Sequence, residues 1–587
     1  MCGILSIAGA RTDRYDTRRI DHMLGTLARR GPDDRGTLPF PRCILGQTRL
    51  SIIDLSTGHQ PMCDNAKKIA IAFNGEIYNY KSLREDLTKK GHRFSTTSDT
   101  EAILKAYIEY GDACPKHLDG MFAFVIWDDE RQRLFMARDR FGKKPLYYAF
   151  DAEGNLLVAS EIKAILASGN MQGEIDPAAL DQYLALMYVP PTRTIYKNIY
   201  TLLPAESAVH ENSTLTKHTY WQLDYAPSKI SYGDAKEEIR RLFTEAVKKR
   251  LVADVEIGSF LSGGVDSTLV TAYAQRFSPK PLKTFALGYG DYRNELPYAE
   301  TAAKTIGTDH YTTQASEDLL GALEASMAYF DEPHADSSDF PQSLLSEFAA
   351  KKVKVALSGD GADELFMGYG WYQKHWHLSY RKHPFEKIFL NPFQGYLRNI
   401  SIFTEQERRK LQDDRVHTSS FVSEHIRKSG LNPITKINLF DLTTYLPGQL
   451  LTKVDRMGMM HGLEVRSPFL DHELAEFVYN LPIEFKMNSN NENKIILKEI
   501  LAELLPHEFV YRRKQGFGAP VAQWLQTEVM RHYVHTHLAH GARLFEYLDE
   551  GAVTELLESF YSGKNPVGYY KVWLLLCLQL WLESHVA

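Results

Sequence analysis

The sequence predicts two domains of unlike class: an α+β domain of stacked antiparallel sheets between helices, then an α/β domain on a doubly wound parallel sheet with a helical C-terminal part. Three observations predict this. From Cys2 to about Leu203, short apolar runs are punctuated by Gly and Asp turns, the pattern of antiparallel strands. After Asp234, apolar strands alternate with helices and two strands end in Gly-rich turns, which is βαβ text. From about Gly368 onward the pattern is largely helical. The 587 residues, 44% of them hydrophobic, exceed what one ordinary core organises.

In chain order, the first part contains IAIAFNGEIYN (Ile69 to Asn79), MFAFVIWD (Met121 to Asp128), RLFMARD, LYYAF and NLLVASE as strands, with a helix from Glu101 to Tyr110. Residues 221–232, WQLDYAPSKISY, lack a clear period and carry a proline, so they are expected to link a domain at 1–220 to one at 233–587. An amphipathic helix is expected from Asp234 to about Arg250. The strand, Gly-rich turn and helix of VEIGSFLSGGVDSTLVTAYAQ follow, then KTFALGYG as a second strand and VKVALSGDGADELF as a third with its own Gly-rich turn.

Composition narrows the function. A formal net charge of −6 is small for this length and suggests neither a nucleic-acid footprint nor attraction to an anionic membrane, so a small-molecule substrate is expected. Five cysteines make no CxxC pair and no Cys/His metal spacing, which points to a reducing cytoplasm. The segment MCGILSIAGA has neither the basic nor the apolar region of a signal peptide. The apolar run from Val572 to Leu582, interrupted by Gln579, falls short of the roughly 20 residues that span a bilayer and is expected to be a buried helix.

Cys2 would carry both a thiol and a free α-amine if Met1 were removed, and an amine with an ordinary pKa of about 7.7 to 8.0 is a competent base for a neighbouring nucleophile. The ordered motifs MCGI, RGPD (Arg30 to Asp33), RLSIID (Arg49 to Asp54), FNGEIYN (Phe73 to Asn79) and SDTE (Ser98 to Glu101) resemble the class II glutamine amidotransferase domain. The resemblance implies an N-terminal-nucleophile hydrolase fold in which Cys2 attacks the glutamine carboxamide and releases ammonia. It further implies that Asn74 and the Gly75 N–H face the oxyanion, that Arg49 grips the α-carboxylate, and that Glu76 and Asp99 hold the α-ammonium. Read without it, Asn74-Gly75 is a strong hairpin signal.

SGGVDS, Ser262 to Ser267, lies between a strand and a helix, where glycines let backbone N–H groups approach phosphate. No GK[ST] follows, so it is not a Walker A loop. It resembles the PP-loop of ATP pyrophosphatases, which adenylate a carboxylate and expel pyrophosphate. The resemblance implies ATP contacts from Ser262, Gly263, Gly264, Asp266 and Ser267, adenine contacts from Phe260, Leu261 and Leu287, and Ser358 and Gly359 near the adenylate. A parallel sheet would place SGDGADELFMGY opposite this loop, so Asp266 and Asp363 can share Mg2+, a hard cation suited to carboxylate oxygen. Lys514, in YRRKQGFGAP, matches the family lysine that stabilises charge as the adenylate forms.

DEPHADSS (Asp331 to Ser338), LTKVDR (Leu451 to Arg456) and GLEVRSPFLDH (Gly462 to His472) extend the likeness to glutamine-dependent asparagine synthetases of the bacterial type over nearly the whole chain. What this implies is adenylation of aspartate, ammonia carried through an internal tunnel, and a dimer. Glu464 and Arg466 are expected to pair in a domain core. The likeness loosens at two residues. Reference members carry glutamate where Asp360 is proposed to take a proton as ammonia attacks, and an arginine where Lys453 stands. The same chemistry on a uronic acid or another cell-envelope carboxylate is therefore the alternative acceptor reading, and a non-catalytic or cyclase-type relative is an alternative of another class.

Overall fold

The computed structural model describes residues 1–64, 66–288, 294–315, 319–380, 391–413, 421–512 and 518–586. Its N-terminal part holds two six-stranded sheets. One contains β1 (Cys2–Ala8), β2 (Asp34–Phe40), β3 (Cys43–Arg49), β8 (Tyr147–Phe150), β9 (Leu156–Ala159) and β10 (Ile199–Thr201), in the order β10-β8-β9-β1-β3-β2. The other contains β4 (Met62–Cys63), β5 (Ile69–Ile77), β6 (Gly120–Asp128), β7 (Arg133–Arg138), β11 (Glu206–Glu211) and β12 (Thr214–Thr219), in the order β12-β11-β7-β6-β5-β4. All ladders in both sheets are antiparallel.

Strand periodicity assigns the layers. Side chains alternate faces, so Ile4 and Ala8 of β1 and Ala70 and Ala72 of β5 meet in one core between the sheets. Leu5 and Ile7 face the other way, onto Ile20, Met23 and Leu24 of the helix Thr17–Thr26. Ile71, Phe73 and Ile77 likewise turn outward onto the helices Tyr80–Lys89 and Asp99–Tyr110. Helix, sheet, sheet and helix therefore stack in four layers, as expected of the first domain. The helix expected from Glu101 begins at Asp99, where the Ser98 hydroxyl accepts from the Thr100 N–H at 3.2 Å.

Residues 221–231 form neither helix nor strand, and a helix runs from Tyr232 to Arg250. A five-stranded parallel sheet follows: β13 (Ile257–Phe260), β14 (Lys283–Gly288), β15 (Asp309–Gln314), β16 (Val355–Leu357) and β17 (Glu464–Arg466), in the order β15-β14-β13-β16-β17. Sequence patterning identifies three of these strands. It misses β15 because DHYTTQ is a polar, part-exposed edge, and β17 because three residues are too few to show a period. The chain runs outward from β13 through β14 and β15, then returns to the other side as β16. The switch point between β13 and β16 is where an open parallel sheet holds its ligand.

The apolar run at the C-terminus is the buried helix Tyr569–His585, whose Leu574 carbonyl accepts from the Tyr183 hydroxyl at 2.9 Å. Its core continues through Leu323, Met327 and Phe340 to Ile162 and Ile165 of the first domain. Among the described residues no helix is long and apolar enough to cross a membrane.

Candidate active sites

The first site is where the apolar layer between the antiparallel sheets turns polar. On β1 the face of Ile4 and Ala8 ends in Cys2; on β3 the face of Cys43 and Leu45 continues into Gln47 and Arg49; on β5 the face of Ala70 and Ala72 continues into Asn74 and Glu76. Cys2 and Arg49 are direct partners in the ladder. The Cys2 N–H donates to Asn74 Oδ1 at 2.9 Å. Asn74 is fully buried and its Nδ2 has no hydrogen-bond partner among the described residues. An amide with one end engaged in this way leaves a desolvated donor free to meet a further acceptor. Gly75 adopts φ +147°, and a Cβ there would lie 2.0 Å from the Met121 carbonyl oxygen, so only glycine lets β5 pass β6 here.

Arg49 donates twice through Nη2, to the carbonyls of Ile53 at 3.0 Å and Asp54 at 2.7 Å, which fixes the plane of its guanidinium. Asp99 accepts from the Ile77 N–H at 3.1 Å, and burial raises its carboxyl to about 6. Burial and the neighbouring Glu464 raise Glu76 well above the carboxylate range, against the pull of Arg466 at 3.4 Å. Burial also raises the Cys2 thiol, opposed by the terminal amine, the Leu50 N–H, Gln47 and Arg49. A thiol so placed needs a base to become a nucleophile. The structure thus brings Cys2, Arg49, Asn74, Gly75, Glu76 and Asp99 together.

The second site occupies the switch point. Gly263, at φ +76°, packs against the Tyr298–Ala299 backbone, where a Cβ would meet Tyr298 C at 2.7 Å. The Ser262 and Ser267 hydroxyls lie 3.1 Å apart, and Ser267 also takes the Ser262 N–H at 3.3 Å, which closes the SGGVDS turn. The helix Val265–Phe277 starts within it, directly after Gly264. The loop following β16 touches this turn: a Cβ on Gly359 would sit 2.8 Å from Asp266 Cβ and 3.0 Å from the Ser267 N. Phe260 and Leu287 share the small apolar cluster behind the loop, while Leu261 packs on the opposite face of the sheet. Ser358 donates its N–H to the Arg466 carbonyl at 2.9 Å, and its hydroxyl lies 3.2 Å from that of Ser467. Lys514 lies outside the described residues.

Asp266 and Asp363 converge, as sharing a cation requires: both lie on one ammonium, that of Lys494, at 2.5 and 2.7 Å. Asp266 Oδ1 is buried with no partner among the described residues. Two carboxylates on a common positive charge, with an oxygen to spare, fit a hard divalent cation.

Lys453 is buried and donates to Asp336 Oδ2 at 3.0 Å and the Ser338 hydroxyl at 2.7 Å. Burial would raise Asp336, but Lys453 and His334 overcome it and hold the carboxyl below its ordinary range. Asp360 moves the other way, raised by burial and by Asp266 and Asp363 against Ser358 and Lys453. A carboxylate of raised pKa beside that loop suits a proton acceptor.

The two sites share a buried, charged seam. Arg30 donates to the Cys2 carbonyl at 3.1 Å and to Glu161 at 3.0 Å, and grips Asp455 at 2.7 and 3.2 Å. Arg456 bridges Glu161 at 2.7 Å and Asp331 at 3.0 Å. Glu464 and Arg466 pair at 2.6 Å as expected, yet they also reach the first site: Glu464 lies 3.3 Å from the Met1 amine and Arg466 faces Glu76. Sequence reasoning assigned no role to Lys494, Asp336 or Ser338. The motif DEPHADSS could have pointed to the last two; a lone lysine in the polar run SNNENK carries no signal.

Comparison with known proteins agrees with this two-site architecture. The glutamine amidotransferase domain model matches residues 1–221 and the asparagine synthase model matches residues 238–583. Asparagine synthetase [glutamine-hydrolyzing] 1 of Bacillus subtilis is 32% identical over an alignment that covers 100% of this chain and 97% of that protein. A putative asparagine synthetase [glutamine-hydrolyzing] of Mycobacterium tuberculosis is 32% identical over 99% of this chain and 97% of its own length. The amidase chyE of Penicillium rubens is 28% identical over 96% and 93%. With family models over most of its length and full-length relatives at that identity, the chain belongs to the asparagine synthase family and carries that family's glutamine amidotransferase domain.

Proposed function

We propose that this chain is an ATP-dependent, glutamine-hydrolysing asparagine synthetase, with residues 1–220 as the glutaminase, 221–232 as the linker and 233–587 as the synthetase. The observation that carries the reading is the pairing of two built sites through one residue. The guanidinium of Arg466 faces Glu76 of the first site, while its backbone carbonyl holds Ser358 of the second.

In the glutaminase, removal of Met1 frees the Cys2 amine to take the thiol proton. The sulfur attacks the glutamine carboxamide carbon, and Asn74 Nδ2 and the Gly75 N–H receive the oxyanion. As the tetrahedral adduct collapses, the Cys2 ammonium passes its proton to the leaving nitrogen, ammonia departs, and water hydrolyses the thioester to glutamate. Arg49 holds the α-carboxylate, where a planar donor has the advantage, and Glu76 and Asp99 hold the α-ammonium.

In the synthetase, a β-carboxylate oxygen of aspartate attacks the α-phosphorus of ATP and pyrophosphate leaves. Asp266 and Asp363 would hold Mg2+, which when bound neutralises charge on the pyrophosphate. The loop residues Ser262, Gly263, Gly264 and Ser267 cradle phosphate, Phe260, Leu261 and Leu287 back the adenine, and Ser358 and Gly359 lie beside the adenylate. Lys514 supplies positive charge as the bond to phosphorus forms. Ammonia, kept inside the protein, attacks the acyl carbon, Asp360 accepts its proton, and AMP departs.

Aspartate is favoured as acceptor over a uronic acid by the Lys453–Asp336 pair. An internal ion pair of one ammonium and one carboxylate is complementary to the α-carboxylate and α-ammonium of an amino acid, whereas a uronic acid, whose one carboxylate is the group activated, carries neither. The unpaired state of all five cysteines accords with a cytoplasmic protein. The test is an assay with glutamine, ATP and Mg2+ that follows AMP, pyrophosphate and asparagine. All three are expected to rise together only when aspartate is present; AMP release indifferent to aspartate would overturn the acceptor.

A further inference from the structure

Lys494 holds a position that a divalent cation would need. Its Nζ lies 2.5 Å from Asp266 Oδ2 and 2.7 Å from Asp363 Oδ1, and its side chain is 5% exposed. The placement is built by the chain around it. Lys494 adopts left-handed φ 55° and ψ 36° immediately before the helix Ile495–Ala502, a conformation rare for a residue with a Cβ. Its neighbour Asn493 donates through Nδ2 to the Gly368 carbonyl at 3.0 Å. A Cβ on Gly368 would fall 1.9 Å from Asp363 Oδ1 and 2.1 Å from Lys494 Cε, so the loop closes directly over the pair.

We propose that Lys494 is a resident cation that occupies the Asp266/Asp363 pair and excludes a divalent ion until nucleotide is bound. The inference rests on the reading of those carboxylates as Mg2+ ligands. One ammonium offsets half of the pair's negative charge, and a second cation drawn to the same oxygens meets like-charge repulsion at contact distance in a site with little water to screen it. The binding order follows. Metal enters with the nucleotide, whose phosphates supply further oxygens and draw the ammonium away, so the free enzyme does not fill with metal.

The experiment uses the full-length protein without nucleotide and Mn2+ alone as probe, with free Mn2+ read by electron paramagnetic resonance. K494Q is expected to bind one Mn2+ about tenfold or more tighter than wild type. K494R is expected to bind like wild type, and K494Q/D363N to lose the gain. Equal Mn2+ affinity in wild type and K494Q, with both lost on Asp363→Asn, overturns the role of Lys494 while leaving the metal ligands standing. A gain in K494Q that survives Asp363→Asn overturns the metal assignment itself. Thermal unfolding reports whether K494Q is folded; if it is not, K494M, which keeps the aliphatic stem beneath Gly368, carries the same test.

Discussion

Replacing Asn74 by alanine removes two things at once: the acceptor 2.9 Å from the Cys2 N–H and the buried Nδ2 donor that has no partner among the described residues. For folding these act in opposite directions. An unpaired buried amide donor penalises the folded state by about 1–3 kcal/mol, and stranding the Cys2 N–H costs about the same. The net change in unfolding free energy is therefore expected to stay within about 1 kcal/mol. For catalysis they do not offset, because loss of an oxyanion donor removes about 2.7–4 kcal/mol of transition-state stabilisation, a 10²–10³-fold fall in glutaminase kcat. Glutamate release measures the loss, urea unfolding the stability, and asparagine formation from ammonium salts the intact second site. Glutaminase activity within about tenfold of wild type, or a parallel fall in ammonia-dependent synthesis, would refute Asn74 as an oxyanion donor.

Cys2→Ala is expected to abolish glutamine-dependent synthesis and spare synthesis from ammonium salts, whereas Asp266→Asn is expected to abolish ATP-dependent turnover and spare glutamine hydrolysis; product analysis of both variants checks the division. Asp99, raised by burial to about 6, must be ionised to hold an ammonium, so the KM for glutamine should climb as pH falls below about 6 while kcat moves less. A KM flat between pH 5 and 8 would count against Asp99 as that ligand. Arg456→Met leaves Glu161 and Asp331 facing each other without their shared guanidinium, and should destabilise the fold by about 3–5 kcal/mol in urea. Burial alone would raise Glu161, but Lys163, Arg456 and Arg30 hold it down to about 2, so its contribution is present above its ordinary value and lost as pH falls through 2. The acid unfolding midpoint of Arg456→Met should accordingly move to higher pH.

What could be seen in the sequence divides along a physical line. The first site was legible through its ordered motifs, MCGI to SDTE, and the structure supplies the reason they meet: strand alternation carries the apolar face of Ile4 and Ala8 into Cys2, and that of Ala70 and Ala72 into Asn74 and Glu76. The switch point was legible because two strands of the βαβ text end in Gly-rich turns and the first of these, SGGVDS, resembles the PP-loop. Lys494 was not, since its role depends on a left-handed turn that aims it and on a loop more than 120 residues earlier that closes over it. β17 was also not, because three residues carry no period.

The seam between the sites shows the same limit at longer range. Arg30 and Asp455 stand 425 positions apart, and each sits in a motif whose local text, RGPD or LTKVDR, names no partner. Their pairing is fixed only once β1 has placed the Cys2 carbonyl for Arg30 Nε and the helix Leu451–Met459 has placed Asp455 beside it. Buried ion pairs of this kind add little net stability over an apolar packing of equal volume. What they do impose is position, since a guanidinium with fixed donor directions tolerates only one arrangement of its carboxylates. Arg30 ties the backbone of the nucleophile to the helix that carries Lys453, and Arg466 ties Glu76 to the strand that positions Ser358. Such a seam is better understood as holding two sites in one geometry than as holding two domains together, and Arg456→Met separates these readings. A loss confined to unfolding free energy would favour the second; a larger loss in the ratio of asparagine formed to glutamine hydrolysed favours the first.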